Sequence, residues 1–160
     1  MHALANAMPE ELLLALKERL DEELDGLSLT GDGLEAIADA RYGEVTIQIE
    51  HDLEVDSVRV MVAVPVPAGS GLQFLVWCLA SNTSYWDVKI GLDEEGHLVV
   101  HADLDADGAD RELLASRIVD RVETILELLD DDLAEWLLAH DLGTPRQRER
   151  WKSRTPPTGD

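Results

Sequence analysis

Residues 86–104, WDVKIGLDEEGHLVVHADL, decide the fold. Trp86, Val88, Ile90 and Leu92 alternate with polar neighbours, and after Glu94, Glu95 and Gly96 the pattern returns through Leu98, Val100, Ala102 and Leu104. That is the period of half-buried strands. A bulged three-residue loop with Gly96 in the left-handed conformation places Asp93 opposite His97. Leu92 then faces Leu98, Ile90 faces Val100, Val88 faces Ala102 and Trp86 faces Leu104, so every apolar side chain falls on one side. A two-residue loop would set Leu92 against His97 and mix the faces, so the side-chain pattern selects the register.

Working outward, Val45, Ile47 and Ile49 alternate with Thr46, Gln48 and Glu50, and Val58, Val60, Val62 and Val64 repeat the alternation until Pro65 and Pro67. Prolines remove the donors a central strand needs, so the strand ends there. LEAIADARYGEVTIQIE reads as two strands joined by a turn near Tyr42 and Gly43. Pro9, Glu10 and Glu11 open an amphipathic helix with Leu13, Leu16, Leu20 and Leu24 on one stripe. Ser70 and Gln73 have the spacing of a capping box, and the helix they introduce carries Leu72, Leu75, Val76 and Leu79 as its stripe. From Ala109 to about His140 a long helical pattern carries Leu114, Ile118, Val122, Ile125, Leu129, Leu133 and Leu137, with a bend expected at Asp130 to Asp132. The prediction is an α+β domain over residues 1–142, in the order α-β-β-β-α-β-β-α. Its antiparallel sheet of about five strands carries helices on one face. Residues 143–160, with five basic side chains, three prolines and one apolar residue, Trp151, are expected to form a flexible basic tail.

The chain has 160 residues, 45% of them hydrophobic, enough for one domain with a real core. Its formal charge is −21, from 34 acidic and 13 basic side chains. Direct nucleic-acid binding is excluded, because phosphate recognition needs clustered Lys and Arg. A basic protein partner, a DNA-binding protein among the candidates, is the physical complement. No stretch has the length and apolarity of a membrane span, and the N-terminus lacks the basic region of a secretory signal. Cys78 has no cysteine to pair with and sits in the apolar run FLVWCLA, which reads as a reduced core thiol and a cytoplasmic protein.

Three constellations invite a chemical reading. Asp103, Asp105, Asp107 and Gly108 match the first half of an EF-hand loop, but the closing bidentate Glu is replaced by Leu114 and the loop leaves a strand. The hairpin register would bring Asp87 opposite Asp103, so Asp87, Asp103, Asp105 and Asp107 form a weak cation candidate within an Asp-rich turn at 103–110. No metal and no cofactor are expected. His97 and His101 share a face, but four strand residues separate them by about 13 Å, too far to share an ion. AGSGL is not a nucleophile elbow, and no phosphate-cradling or dinucleotide motif is present, so no catalytic residue is assigned. Phe74 and Trp77 lie off the apparent stripe of their helix, and Met61 and Ala63 lie on the polar side of their strand. These four either complete the core or form a protein-binding patch.

The order of elements, the AVPVP strand end, the helix ending near Asn82 and the hairpin KIGLDEEGHLVV together resemble the YbjN family across roughly residues 8 to 140. The family is labelled as bacterial sensory transduction regulators and is similar in fold to the small acidic chaperones of type III secretion. The resemblance implies a non-enzymatic, chaperone-like adaptor that binds a protein and forms a homodimer. An ion- or ligand-sensing regulator using the turn at 103–110 is the alternative.

Overall fold

The computed structural model describes residues 9–23, 27–30, 35–52, 54, 56–66, 69–106 and 110–153, with backbone alone at 22 and 23. Helix α1 (Glu10–Glu23) leads into β1 (Leu27–Leu29), β2 (Glu35–Asp39), β3 (Glu44–Asp52) and β4 (Ser57–Pro65). Helix α2 (Gly71–Ser84) and the hairpin β5 (Lys89–Leu92) and β6 (His97–Asp105) follow. Helix α3 (Arg111–Glu127) runs through a π-helical segment, Leu128–Leu133, into α4 (Ala134–Ala139), and α5 (Pro145–Lys152) is the last described element. The sheet is antiparallel throughout, in the order β1-β2-β3-β4-β6-β5.

The hairpin register matches the expectation where the ladder exists: Leu92 pairs with Leu98 and Ile90 with Val100. Asp93 receives the turn, its N–H donating to the His97 carbonyl at 3.0 Å, and Gly96 takes φ +83°. The ladder begins at Lys89, however. Ala102 is paired with Val60 on its other side, Val88 is buried without a ladder partner, and Trp86 never reaches Leu104. Tyr85 diverts the chain there, because its hydroxyl donates to the Asp132 carboxylate and ties the end of α2 to the π-helical segment.

Among the described residues the sheet has six strands where five are expected. The additional one is Leu27–Leu29, whose three residues are too few to show an alternation. Val45, Ile47, Ile49, Val58, Val60, Val62, Val64, Leu98, Val100 and Ala102 all turn to one face and are buried there. Helix α3 lays Leu114, Ile118, Val122 and Ile125 into the same core, and α1 adds Leu12, Leu16 and Leu20. Leu13 is only partly buried, while Leu24 lies outside the described residues. Where a bend is expected at the acidic triplet, the structure has a π-helical segment. The expected Leu129, Leu133 and Leu137 are buried, the wider π-helical turn brings Leu128 in beside them, and Asp130 lies against the β2–β3 turn.

The flexible tail expected from residue 143 is corrected over 144–153. Thr144 and Gln147 form a reciprocal capping box with Pro145 at the helix start, so α5 is a properly begun helix. Trp151 is fully buried, at 0% exposure. Its ring stacks on Tyr42 at 5.8 Å and its indole N–H donates to the Tyr42 carbonyl at 2.9 Å. Arg41 ties this corner together: Nε donates to the Trp151 carbonyl at 2.6 Å, Nη1 to the Asp130 carbonyl at 2.7 Å and Nη2 to Glu135 at 2.7 Å. The Tyr42 N–H donates to the Asp130 carboxylate at 2.9 Å, yet burial dominates and holds the Asp130 carboxyl above its ordinary range. A raised carboxyl pKa favours the folded state below the unfolded value of about 3.9, and that contribution fades as pH rises through the folded value. Asp130→Asn, which keeps an acceptor without the charge, is therefore expected to melt at or above the wild type at pH 7, the two curves converging in acid. Calorimetry across pH checks this, and a variant less stable at pH 7 would contradict it.

Candidate protein-binding surfaces

Helix α2 has apolar residues on every side: Leu72, Phe74, Leu75, Val76, Trp77, Cys78 and Leu79. Periodicity cannot choose a face in such a helix, and the face expected to be buried is the one that faces out. Phe74 is 2% exposed and packs inward with Cys78 and Ser81, whereas Leu72 is 75% and Leu79 71% exposed, with Leu75 and Val76 also in solvent. Burial pushes the Cys78 thiol up to about 11, as befits an unreactive core group. The expected capping bond from Ser70 is not made.

Phe74 therefore belongs to the core and leaves the list of surface candidates. Trp77 is half-buried beside it, stacked at 5.5 Å, and Trp136 of α4 closes against both rings at 5.5 and 6.2 Å. Met61 and Ala63 lie elsewhere, on the open side of the sheet. The four candidates are thus two separate places. Beyond the end of α2 stands Trp86, 93% exposed, which the sequence pattern had assigned to the core. A tryptophan so exposed, next to a helix with a bare leucine face, is the feature periodicity missed.

Asn82 determines how α2 meets the sheet. Its side-chain amide donates to the Ile90 carbonyl at 2.8 Å and accepts from the Ile90 N–H at 2.8 Å, so it occupies the outer edge of β5 as another strand would. Edge strands left open invite pairing with other chains, and at Ile90 this edge is covered by a side chain.

On the open side of the sheet, Met61 is flanked by Gln48 and His101, and Ala63 pairs with Val99, which pairs in turn with Gly91. Low, uncharged side chains run through the middle of this face. Around them stand Glu35, Asp39, Glu44, Glu50, Asp52 and Asp105, with the cations Arg59 and Lys89 among them and Asp39 already paired with Arg150. Burial, with the Arg59 charge behind it, holds the His101 imidazole below its ordinary pKa.

Among the described residues, the acidic candidates Asp87, Asp103 and Asp105 form no shared cation site. Asp103 accepts from Arg59 Nε at 2.7 Å and Nη2 at 3.3 Å, which holds its carboxyl below the usual range, and Asp87 pairs with Arg121 of α3 at 3.6 Å. Asp105 ends β6, and Asp107 lies outside the described residues. Asp110 caps α3 by accepting from the Leu113 N–H at 2.7 Å. A closer acidic group is Asp93, Glu95 and His97 in the β5–β6 turn, with ligand atoms within 4.8 Å of one another. There Asp93 is already engaged, accepting from the Glu95 and His97 N–H groups. Millimolar calcium is expected to shift melting no more than magnesium at matched ionic strength. A filled site at a hundred times its dissociation constant would add about 2.7 kcal/mol; a calcium-specific shift of that size, lost in Asp105→Ala, would overturn this.

An antiparallel sheet covered on one side, with a bare helix along its edge, places the chain in the α+β class. The chain belongs to the YbjN family, described as "Putative bacterial sensory transduction regulator", whose model matches residues 18–137. Its fold is similar to the crystal structure of E. coli YbjN, at 24% identity and a TM-score of 0.57, covering 83% of this chain and 96% of that one. More distant likenesses include the Yersinia pestis type III secretion chaperone SycH bound to a YscM2 fragment, at 15% identity and TM-score 0.43, covering 71% of this chain and 95% of that one. The Pseudomonas aeruginosa ExoU–SpcU complex matches at 23% and 0.42, covering 76% and 94%. No curated protein matches the chain. Among the described residues, no helix is long and apolar enough to cross a membrane.

Proposed function

We propose that this protein is a non-enzymatic, chaperone-like adaptor of the cytoplasm, which pairs with a second copy of itself and holds a basic protein partner. The observation that carries the reading is the uncovered face of α2, where Leu72, Leu75, Val76 and Leu79 stand in solvent. A contiguous apolar surface of this kind marks a protein contact. A second copy fits it, because α2 has no acidic or basic side chain in a chain of charge −21, and elsewhere two copies repel. The open sheet face supplies the client surface: apolar side chains of the partner lie on Met61, Ala63 and Val99, and its basic residues meet the surrounding carboxylates.

The test uses a client obtained by affinity capture and then purified. Raising salt from about 50 to 300 mM shortens the Debye length from roughly 14 to 6 Å, so association should slow more than dissociation quickens. Met61→Glu should speed dissociation at least about tenfold, since apolar contacts set the off-rate. Salt acting mainly on dissociation, or a Met61→Glu variant that binds as the wild type does, would remove the open sheet face as the client surface.

A further inference from the structure

Among the described residues, α5 is the one basic helix of this acidic protein, and it lies outside the residues matched by the family model, 18–137. The way it is held differs from the way α1 and α3 are held. Of its eight residues only Trp151 is buried. Its polar attachment runs mainly to the β2–β3 turn, with Arg148 donating also to the Asp141 carbonyl at 3.1 Å. Arg150 donates from Nη2 to Asp39 at 2.5 Å and also to the Ala40 carbonyl, and its Nε donates to the Arg41 carbonyl at 3.1 Å. The seat consists of an aromatic slot walled by Tyr42, a carbonyl for an indole N–H, a carboxylate with two carbonyls for a guanidinium, and Arg41 to receive a backbone carbonyl. One buried aromatic anchor and one arginine amid solvated contacts is the energetic layout of a peptide ligand. The capping box and Pro145 start the helix from its own residues, so it needs no neighbour to begin.

We propose that this seat is a docking site for a basic, tryptophan-bearing helix of a protein partner, and that α5 occupies it in cis as a displaceable stand-in. This rests on the reading that the partner is basic, and it adds where such a partner is gripped and what it must displace. A tethered helix competes at an effective concentration in the millimolar range, so an incoming segment gains the site by binding simultaneously elsewhere on the protein.

The experiment uses the full chain and a labelled peptide, TPRQRERWKS, corresponding to residues 144–153. By fluorescence anisotropy, Trp151→Ala should bind this peptide at least tenfold more tightly than the intact chain does. A scrambled peptide of the same composition should not distinguish the two. Equal affinity of the two chains, or a scrambled peptide bound as tightly as the native one, would overturn the proposal. Should Trp151→Ala fail to fold, hydrogen exchange on the intact chain decides. The amides of α5 should exchange at least about a hundredfold faster than those of Val119 and Val122 in α3, because the strap opens without global unfolding. Equal protection would overturn the proposal. Because the probe is this chain's own segment, failure would leave the open sheet face as a client surface untouched.

Discussion

Trp151→Ala is expected to lower the stability of the intact chain by about 3–5 kcal/mol, the range for emptying a fully enclosed large aromatic site. For a chain of this size, where 1 kcal/mol moves the midpoint by roughly 2–4 °C, that is a fall on the order of 10 °C. The size follows from what the ring leaves behind. Its slot lies against Tyr42, whose own burial pushes the phenol up to about 12, and the Tyr42 carbonyl would lose the donor now at 2.9 Å. Gly143→Ala should act on the same contact from the other side. A Cβ there would stand 2.6 Å from the Trp151 ring, and φ is +91°, so the substitution meets both a clash and a left-handed backbone. Thermal unfolding of both variants checks this. A Trp151→Ala protein melting within 2 °C of the wild type would show that α5 contributes little to the fold.

That expectation reverses what the composition of residues 143–160 suggests, and the reason is physical. One tryptophan among five basic residues gives no periodicity, yet an anchored helix needs only one apolar side chain if a slot awaits it. The slot is built from Tyr42 and Arg41, 109 and 110 residues away in sequence, together with Asp130 of a different element, so no local pattern announces it. The strands were readable because each presents one face to the core and one to solvent, so Val45 to Ile49 and Val58 to Val64 alternate cleanly. Helix α2 was readable as a helix but not as to its face, since Leu72, Phe74, Leu75, Val76 and Trp77 leave no polar side to orient it. The shape of the site decided: Phe74 fills the space between Trp77 and Trp136, and the leucines are left outside. Met61 and Ala63 were correctly placed on the open side of the sheet because strand alternation is strict. Asp87 and Asp103 were brought together only by extending a ladder that in fact begins at Lys89, and each found an arginine from another element instead.

The bare face of α2 carries the second large effect. If two copies pair through it as proposed, Leu72→Glu with Leu79→Glu is expected to convert that dimer into a monomer. In a two-fold pair each substituted position occurs twice, so four carboxylates enter one apolar contact. If each central leucine contributes about 2 kcal/mol, the four sites together remove roughly 8 kcal/mol, close to six decades in the dimer dissociation constant. Sedimentation equilibrium reads this directly. Salt should separate the two chains further: in the wild type it screens the repulsion between two copies of charge −21 and tightens the dimer, whereas it cannot restore the apolar contact in the variant. Folding should be nearly unaffected in the separated chain, because at 75% and 71% exposure these leucines contribute little to its own core. Far-UV circular dichroism and melting at a concentration below the wild-type dimer constant test that half. A variant that keeps the wild-type mass, or a wild type that is monomeric at tens of micromolar, would mean that something other than a second copy covers α2. A variant that loses its helical signal would mean that the leucines belong to the fold after all.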